Sequence, residues 1–179
     1  FLIDKRAFMK LHTILAVDDQ TEYLQSYAAY FFEENVPYQI ISAVHGEMAL
    51  ELAAAEHPDV IIMDWQMPVM DGLTAVKILK ADDSLRDIPI IMASGIMLSS
   101  EDLRDALAAG ASDFIRKPIE RTELMARVGS HLKMADYIQE LKEHERVRDA
   151  EREEKANQLK VSLHSACEQM KEMDQFLMK

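Results

Sequence analysis

Residues 58–72 read PDVIIMDWQMPVMDG, an apolar run that ends on a carboxylate. Val60 to Met63 carries no helical periodicity and stops at Asp64, after which Pro68 and Asp71-Gly72 break the pattern. Such a run reads as a buried strand that delivers Asp64 to its exposed end, with Asp71-Gly72 as a helix entry rather than a ligand site. Upstream, ILAVDD (14–19) delivers Asp18 and Asp19 in the same way. Three acids meeting at one sheet edge repel one another unless a hard cation joins them, and Mg2+ suits an all-oxygen ligand set.

Working outward, short Ile- and Val-rich runs alternate with longer amphipathic stretches. The expected strands are Thr13 to Val17, Gln39 to Val44, Val60 to Asp64, Ile90 to Ser94 and Asp113 to Arg116; the expected helices are Thr21 to Glu34, Glu47 to Glu56, Leu73 to Ala81, Ser100 to Ala109 and one starting near Thr122. Near-continuous apolar strands alternating with helices predict an α/β domain with a doubly wound parallel sheet of five strands, covered on both faces. In such sheets ligands sit beyond the carboxyl ends of the strands, near the point where strand order reverses. Asp18, Asp19, Asp64, Ser94 and Lys117 all fall at or just past those ends.

The chain has 179 residues and a formal net charge of −12, which allows one domain of ordinary size and an appendage. The acidity is uneven: residues 1–119 hold 9 Lys/Arg against 19 Asp/Glu, and residues 120–179 hold 11 against 13. That imbalance argues against direct nucleic-acid binding and against an anionic membrane surface as partner. No apolar run approaches membrane-spanning length, no signal peptide is visible, and the lone cysteine, Cys167, forms no intrachain disulfide framework, so a cytoplasmic location is expected. Met9-Lys10-Leu11 looks like a natural start, which leaves residues 1–8 as an upstream or vector-derived segment. The expected organisation is then a domain over 9–132 and a helical tail over 133–179.

Taken together, the Asp18-Asp19 pair, Asp64 followed by WQMPVMDG, IIMASG ending near Ser94, and FIRKP with Lys117 resemble the CheY-like receiver domain of two-component response regulators. The elements occur in the family's order over roughly Leu11 to Leu132. The resemblance implies a flavodoxin-like fold in which Asp64 accepts a phosphoryl group from a phosphohistidine. It implies Mg2+ held by Asp64, Asp19 and the backbone carbonyl of Gln66, with Asp18 acting mainly through a bound water. Lys117 supplies a fixed positive charge and Ser94 a hydroxyl for the phosphoryl oxygen. Ser94 and Phe114 match the family's switch positions, Gln66 and Ile96 its water-flanking positions, and Pro118 follows a cis peptide bond. The logic is that of phosphoryl transfer, in which the protein positions the group and neutralises its oxygens. The implied partner is a sensor histidine kinase or a phosphotransfer protein, and the implied role is a regulatory switch rather than a metabolic enzyme.

The tail reads differently. From Thr122 to Lys179 there is no proline and one glycine, Gly129, so an unbroken helix of roughly 87 Å would result. Leu159, Leu163, Ala166, Met170, Met173 and Leu177 follow alternating steps of four and three, a coiled-coil seam that predicts a parallel homodimer. Met134, Ile138 and Leu141 form a second set, offset from the first by four residues, which predicts a stutter. Between the sets the helix is almost all charged. Three outputs are compatible with this pattern: an effector domain beyond Lys179, a complete adaptor or scaffold whose coiled coil binds a partner protein, and an aspartyl-nucleophile phosphatase. The last lacks the expected second acid after the first strand and leaves Lys117-Pro118 without a role.

Overall fold

The computed structural model describes residues 11–32, 38–95 and 99–177, with side chains described through residue 164 and at Met170. The elements run β1 (His12–Val17), α1 (Thr21–Phe32), β2 (Tyr38–Ala43), α2 (Gly46–Glu56), β3 (Val60–Asp64), α3 (Gly72–Ala81), β4 (Ile90–Ser94), α4 (Ser100–Ala108), β5 (Asp113–Arg116) and α5 (Arg121–Leu177). All five strands are parallel in the order β2-β1-β3-β4-β5. The expected elements are all present, with ends that differ by one or two residues where they are described.

Alternation along each strand divides the core in two. Leu15, Val17, Ile61, Met63, Ile90 and Met92 face one way and pack with buried residues of α2, α3 and α4, such as Ala49, Ala53, Val76, Leu79 and Ala106. Ile14, Ala16, Val60, Ile62, Ile91, Ala93 and Ile115 face the other way against Leu24, Tyr27 and Phe31 of α1 and Leu124, Val128 and Leu132 of α5. This is why the strands read as continuous apolar runs: both faces are covered. Strand order reverses between β1 and β3, each βαβ unit turning back to one side or the other, and the crevice at that reversal opens beyond the ends of β1 and β3.

Helix starts are set by local chemistry. Asp71 caps α3, its carboxylate accepting from the Thr74 N–H at 2.7 Å, as the Asp-Gly pair predicts. Ser99 and Asp102 form a reciprocal capping box on α4. On α5, Arg127 donates to Asp113 Oδ1 at 2.7 Å and His131 Nε2 lies 3.4 Å from Asp113 Oδ2, tying the helix to β5.

The chain divides into two compact units, residues 1–135 and 136–179. Within the second unit α5 presents mostly exposed side chains, among them the ion pairs Glu143 with Arg146 and Asp149 with Arg152. No helix among the described residues is long and apolar enough to cross a membrane.

Candidate functional site

The backbone brings the site residues together by extending the sheet ladder past the strand ends. The Asp18 N–H donates to the Ala43 carbonyl of β2 at 3.1 Å, Trp65 N–H to Ala93 of β4 at 2.8 Å, and Lys117 N–H to Ser94 at 2.8 Å. Asp18, Asp64 and Lys117 continue the alternation of Ile14 and Ala16, of Val60 and Ile62, and of Ile115. All three therefore project toward the α1 side of the sheet.

There they meet. Lys117 Nζ lies 2.6 Å from Asp18 Oδ2 and 2.6 Å from Asp64 Oδ1, with all three side chains buried. Asp18 also accepts from the Gln20 N–H at 3.1 Å and from the Tyr27 hydroxyl at 3.4 Å. Asp19 is exposed beside them, and Asp18, Asp19 and Asp64 each offer a carboxylate oxygen within 4.8 Å of the others. A cleft of about 300 Å³ opens over this group, lined by Asp19, Tyr23, Asp64, Gln66, Ser94 and Lys117 among others. Ser94 is buried at the end of β4, and the Lys117–Pro118 peptide is cis, as the resemblance implies.

The electrostatics follow from burial. Desolvation holds the Asp64 carboxyl above the usual carboxylate range; the hydrogen bond and charge of Lys117 offset part of this, and the charges of Asp18 and Asp19 add to it. Burial also disfavours the Lys117 charge, but hydrogen bonds to Asp18 and Asp64 outweigh it and hold the ammonium above its ordinary pKa. Burial and the neighbouring Asp18 and Asp64 push the Tyr27 phenol far up, so it stays protonated and donates to Asp18. The cluster therefore carries more acid than its one lysine neutralises, and its oxygen-only donor set fits a hard divalent cation.

Of the expected strand-end residues, Asp19, Asp64, Ser94 and Lys117 line this one mouth, and Asp18 lies fully buried behind it. Phe114 lies on β5, partly buried against the core on the α4 side, opposite Met92 in register. Ile96 lies outside the described residues. In the tail, Leu159, Leu163 and Met170 are 66, 63 and 62% exposed, while the side chains of Ala166, Met173 and Leu177 lie outside the described residues. Two participants escaped the sequence reading, Tyr23 and Tyr27. Their spacing of four on α1, directly after the acid pair, was the available signal, since it sets both on one helix face.

Comparison with known proteins agrees with this geometry. The family model described as response regulator receiver domain matches residues 14–129. Response regulator PleD of Caulobacter vibrioides is 36% identical over 132 residues, which cover 74% of this chain and 28% of that protein. Transcriptional regulatory protein PrrA of Mycobacterium bovis is 36% identical over 123 residues, 67% of this chain and 49% of that protein. The chain thus spans half or less of the length of these two relatives. Among solved structures, the Francisella response regulator 1452 receiver domain superposes with a TM-score of 0.63 at 31% identity, covering 69% of this chain and 98% of that one. With the acid cluster, the bridging lysine and the sheet order all in place, the chain belongs to the response regulator receiver domain family.

Proposed function

We propose that Asp64 is the phosphoacceptor of this receiver, and the observation that carries the assignment is the Lys117 ammonium bridging Asp64 and Asp18 at 2.6 Å each. Receiver domains take their phosphoryl group from histidine kinases or phosphotransfer proteins. An Asp64 oxygen attacks phosphorus, the phosphorus–nitrogen bond to the donor imidazole breaks, and the imidazole leaves with a proton from solvent. Asp64 is the buried carboxylate that also lines the cleft, whereas Asp18 is fully buried behind it. Asp19, Asp64 and the Gln66 backbone carbonyl would hold Mg2+ directly, with Asp18 acting through a water, and the ion would supply positive charge to the phosphoryl oxygens. Lys117 keeps one donor on Asp64 and turns another to the phosphoryl group, and the Ser94 hydroxyl hydrogen-bonds the same oxygens.

Output follows from charge. A phosphoryl group adds about 1.5 to 2 negative charges at the end of β3. Ser94 drawn toward it vacates space on the α4 side of the sheet, and Phe114, which packs on that same side, moves into it. Residues 9–132 form the switch, acting in the cytoplasm, and residues 133–179 form a dimerising helix in which the stripe of Leu159, Leu163, Ala166, Met170, Met173 and Leu177 meets a second copy in parallel. The relatives' greater length supports an effector domain following the tail in the whole protein. An adaptor whose coiled coil binds a different protein is the second reading, supported by the same exposed stripe.

Acetyl phosphate with Mg2+ tests the assignment. Wild-type protein should be labelled, Asp64→Asn should not, and Lys117→Met should be labelled slowly; equal labelling of all three would overturn it.

A further inference from the structure

The Lys117 ammonium carries three N–H donors, and two carboxylate oxygens account for two of them. A different kind of partner covers it as well. The ring centroid of Tyr23 lies 4.1 Å from Nζ, close enough for the cation to rest on the π face. Tyr23 sits in the first turn of α1, half-buried, and lines the cleft that Asp64 opens into. Its ring stacks on Tyr27 at 6.3 Å between centroids and 28° between planes, and Tyr27 in turn donates to Asp18. The two rings and the acid cluster thus support one another.

The acids hold Lys117 only while they are its partners. A phosphoryl group arriving on Asp64 takes over one donor, and a lysine is a point charge on a flexible four-carbon stem, with no fork geometry to fix its direction. Ion pairing alone does not limit how far the ammonium swings. An aromatic face does, and its attraction for a cation rises when water is excluded; the Lys117 side chain is only 4% exposed.

We propose that the Tyr23 ring is a positioning surface for Lys117, its π face holding the ammonium in the cleft so that a donor stays aimed at the phosphoryl group on Asp64. The proposal rests on Asp64 as phosphoacceptor. The hydroxyl plays no part, so a phenyl ring serves and an aliphatic side chain does not.

The test uses the full chain with acetyl phosphate and Mg2+, in which Asp64 displaces acetate and becomes the acyl phosphate. Tyr23→Leu should accept the phosphoryl group about three- to thirtyfold more slowly, the loss expected of one cation–π contact that is partly to fully desolvated. Tyr23→Phe should match the wild type, and Mg2+ affinity should be unchanged in both. In a Lys117→Met background the residual rate should be the same with Tyr23 or with leucine, which a purely structural role for the ring would not produce. Independently of labelling, and whether or not the leucine variant folds, the Lys117 ε-methylene protons should show an upfield ring-current shift in the wild type and in Tyr23→Phe. A wild-type rate in Tyr23→Leu, equal slowing in both variants, a penalty that persists without Lys117, or unshifted ε-methylene resonances in the wild type would each overturn the proposal. Failure of the phosphoacceptor assignment reads out separately, as undiminished labelling of Asp64→Asn.

Discussion

Replacing Gly72 by alanine sets two physical effects of opposite sign against each other. Gly72 is the first residue of α3, where helix propensity alone favours alanine by about 1 kcal/mol. A Cβ built there would stand 2.0 Å from the Asp64 carbonyl oxygen, 3.1 Å from the Asp64 carbonyl carbon and 3.1 Å from Met63 Cγ. Real Cβ contacts essentially never fall under 3.0 Å, so helix and strand must part by about 1 Å. The obstacle is backbone, held by the Gly72 N–H to Trp65 carbonyl bond at 3.1 Å and by the pairing of Asp64 with Ala93 in β4, so no side chain can swing aside. Overpacking against backbone should cost about 3–5 kcal/mol, leaving a net loss of about 2–4 kcal/mol out of a typical domain stability of about 5–15 kcal/mol.

Urea unfolding at fixed protein concentration measures this, followed by the fluorescence of Trp65, the single tryptophan, next to Asp64. With a urea slope of about 2 kcal/mol per molar, the midpoint of Gly72→Ala should fall by about 1–2 M. Gly129→Ala provides the control: its Cβ would meet nothing within 4 Å, so this substitution in α5 should instead stabilise by up to about 1 kcal/mol. A Gly72→Ala protein as stable as the wild type, or more so, would refute the close approach and with it the described path of the loop that carries the site.

Other outcomes follow from single contacts. Burial works to raise the Asp113 pKa, but its hydrogen bonds with Arg127, the Phe114 N–H and His131 hold the carboxyl below the usual range. A depressed folded-state pKa means stability that is present above the unfolded value near 3.8 and lost as pH falls through the folded one. Asp113→Asn should therefore cost about 1 kcal/mol at neutral pH, with the difference from wild type shrinking below about pH 4; a constant difference across pH would exclude the carboxylate charge as its source. Val69 holds φ at 68°, a left-handed conformation costly for a β-branched residue, so Val69→Gly should raise the thermal midpoint rather than lower it, by an amount corresponding to about 1 kcal/mol. In the tail, Leu159→Asp with Leu163→Asp removes burial on the order of 5 kcal/mol per dimer and should yield monomers by light scattering; a wild-type chain already monomeric would leave the stripe to a different partner.

Much of this was legible because parallel strands covered on both faces leave an unmistakable record. Ile61, Ile62 and Met63 had to be buried on both sides, and a run that ends abruptly on Asp64 could only open at a strand end. Asp71 announced a helix start because a carboxylate before a glycine has a backbone N–H to accept from. Spacing alone did not separate Asp18 from Asp19, and only the family resemblance gave them different roles, since which of two adjacent acids turns inward depends on the lysine and tyrosine waiting there. Nor did it reveal Tyr23 and Tyr27: an aromatic pair on an amphipathic helix looks like ordinary core until the facing strand ends are known to carry charge. Gly72 was read as part of a helix entry, whereas a close approach to the Asp64 carbonyl is a tertiary fact with no local signature.

The central claim, that Asp64 receives the phosphoryl group, is tested most directly by chemical trapping of the modified residue. After reaction with acetyl phosphate and Mg2+, borohydride reduces an aspartyl phosphate to homoserine, and peptide mapping then locates it. Homoserine should appear at position 64, with none at Asp18 or Asp19 and none in protein treated without phosphodonor; homoserine at any other aspartate, with Asp64 unaltered, would contradict the assignment.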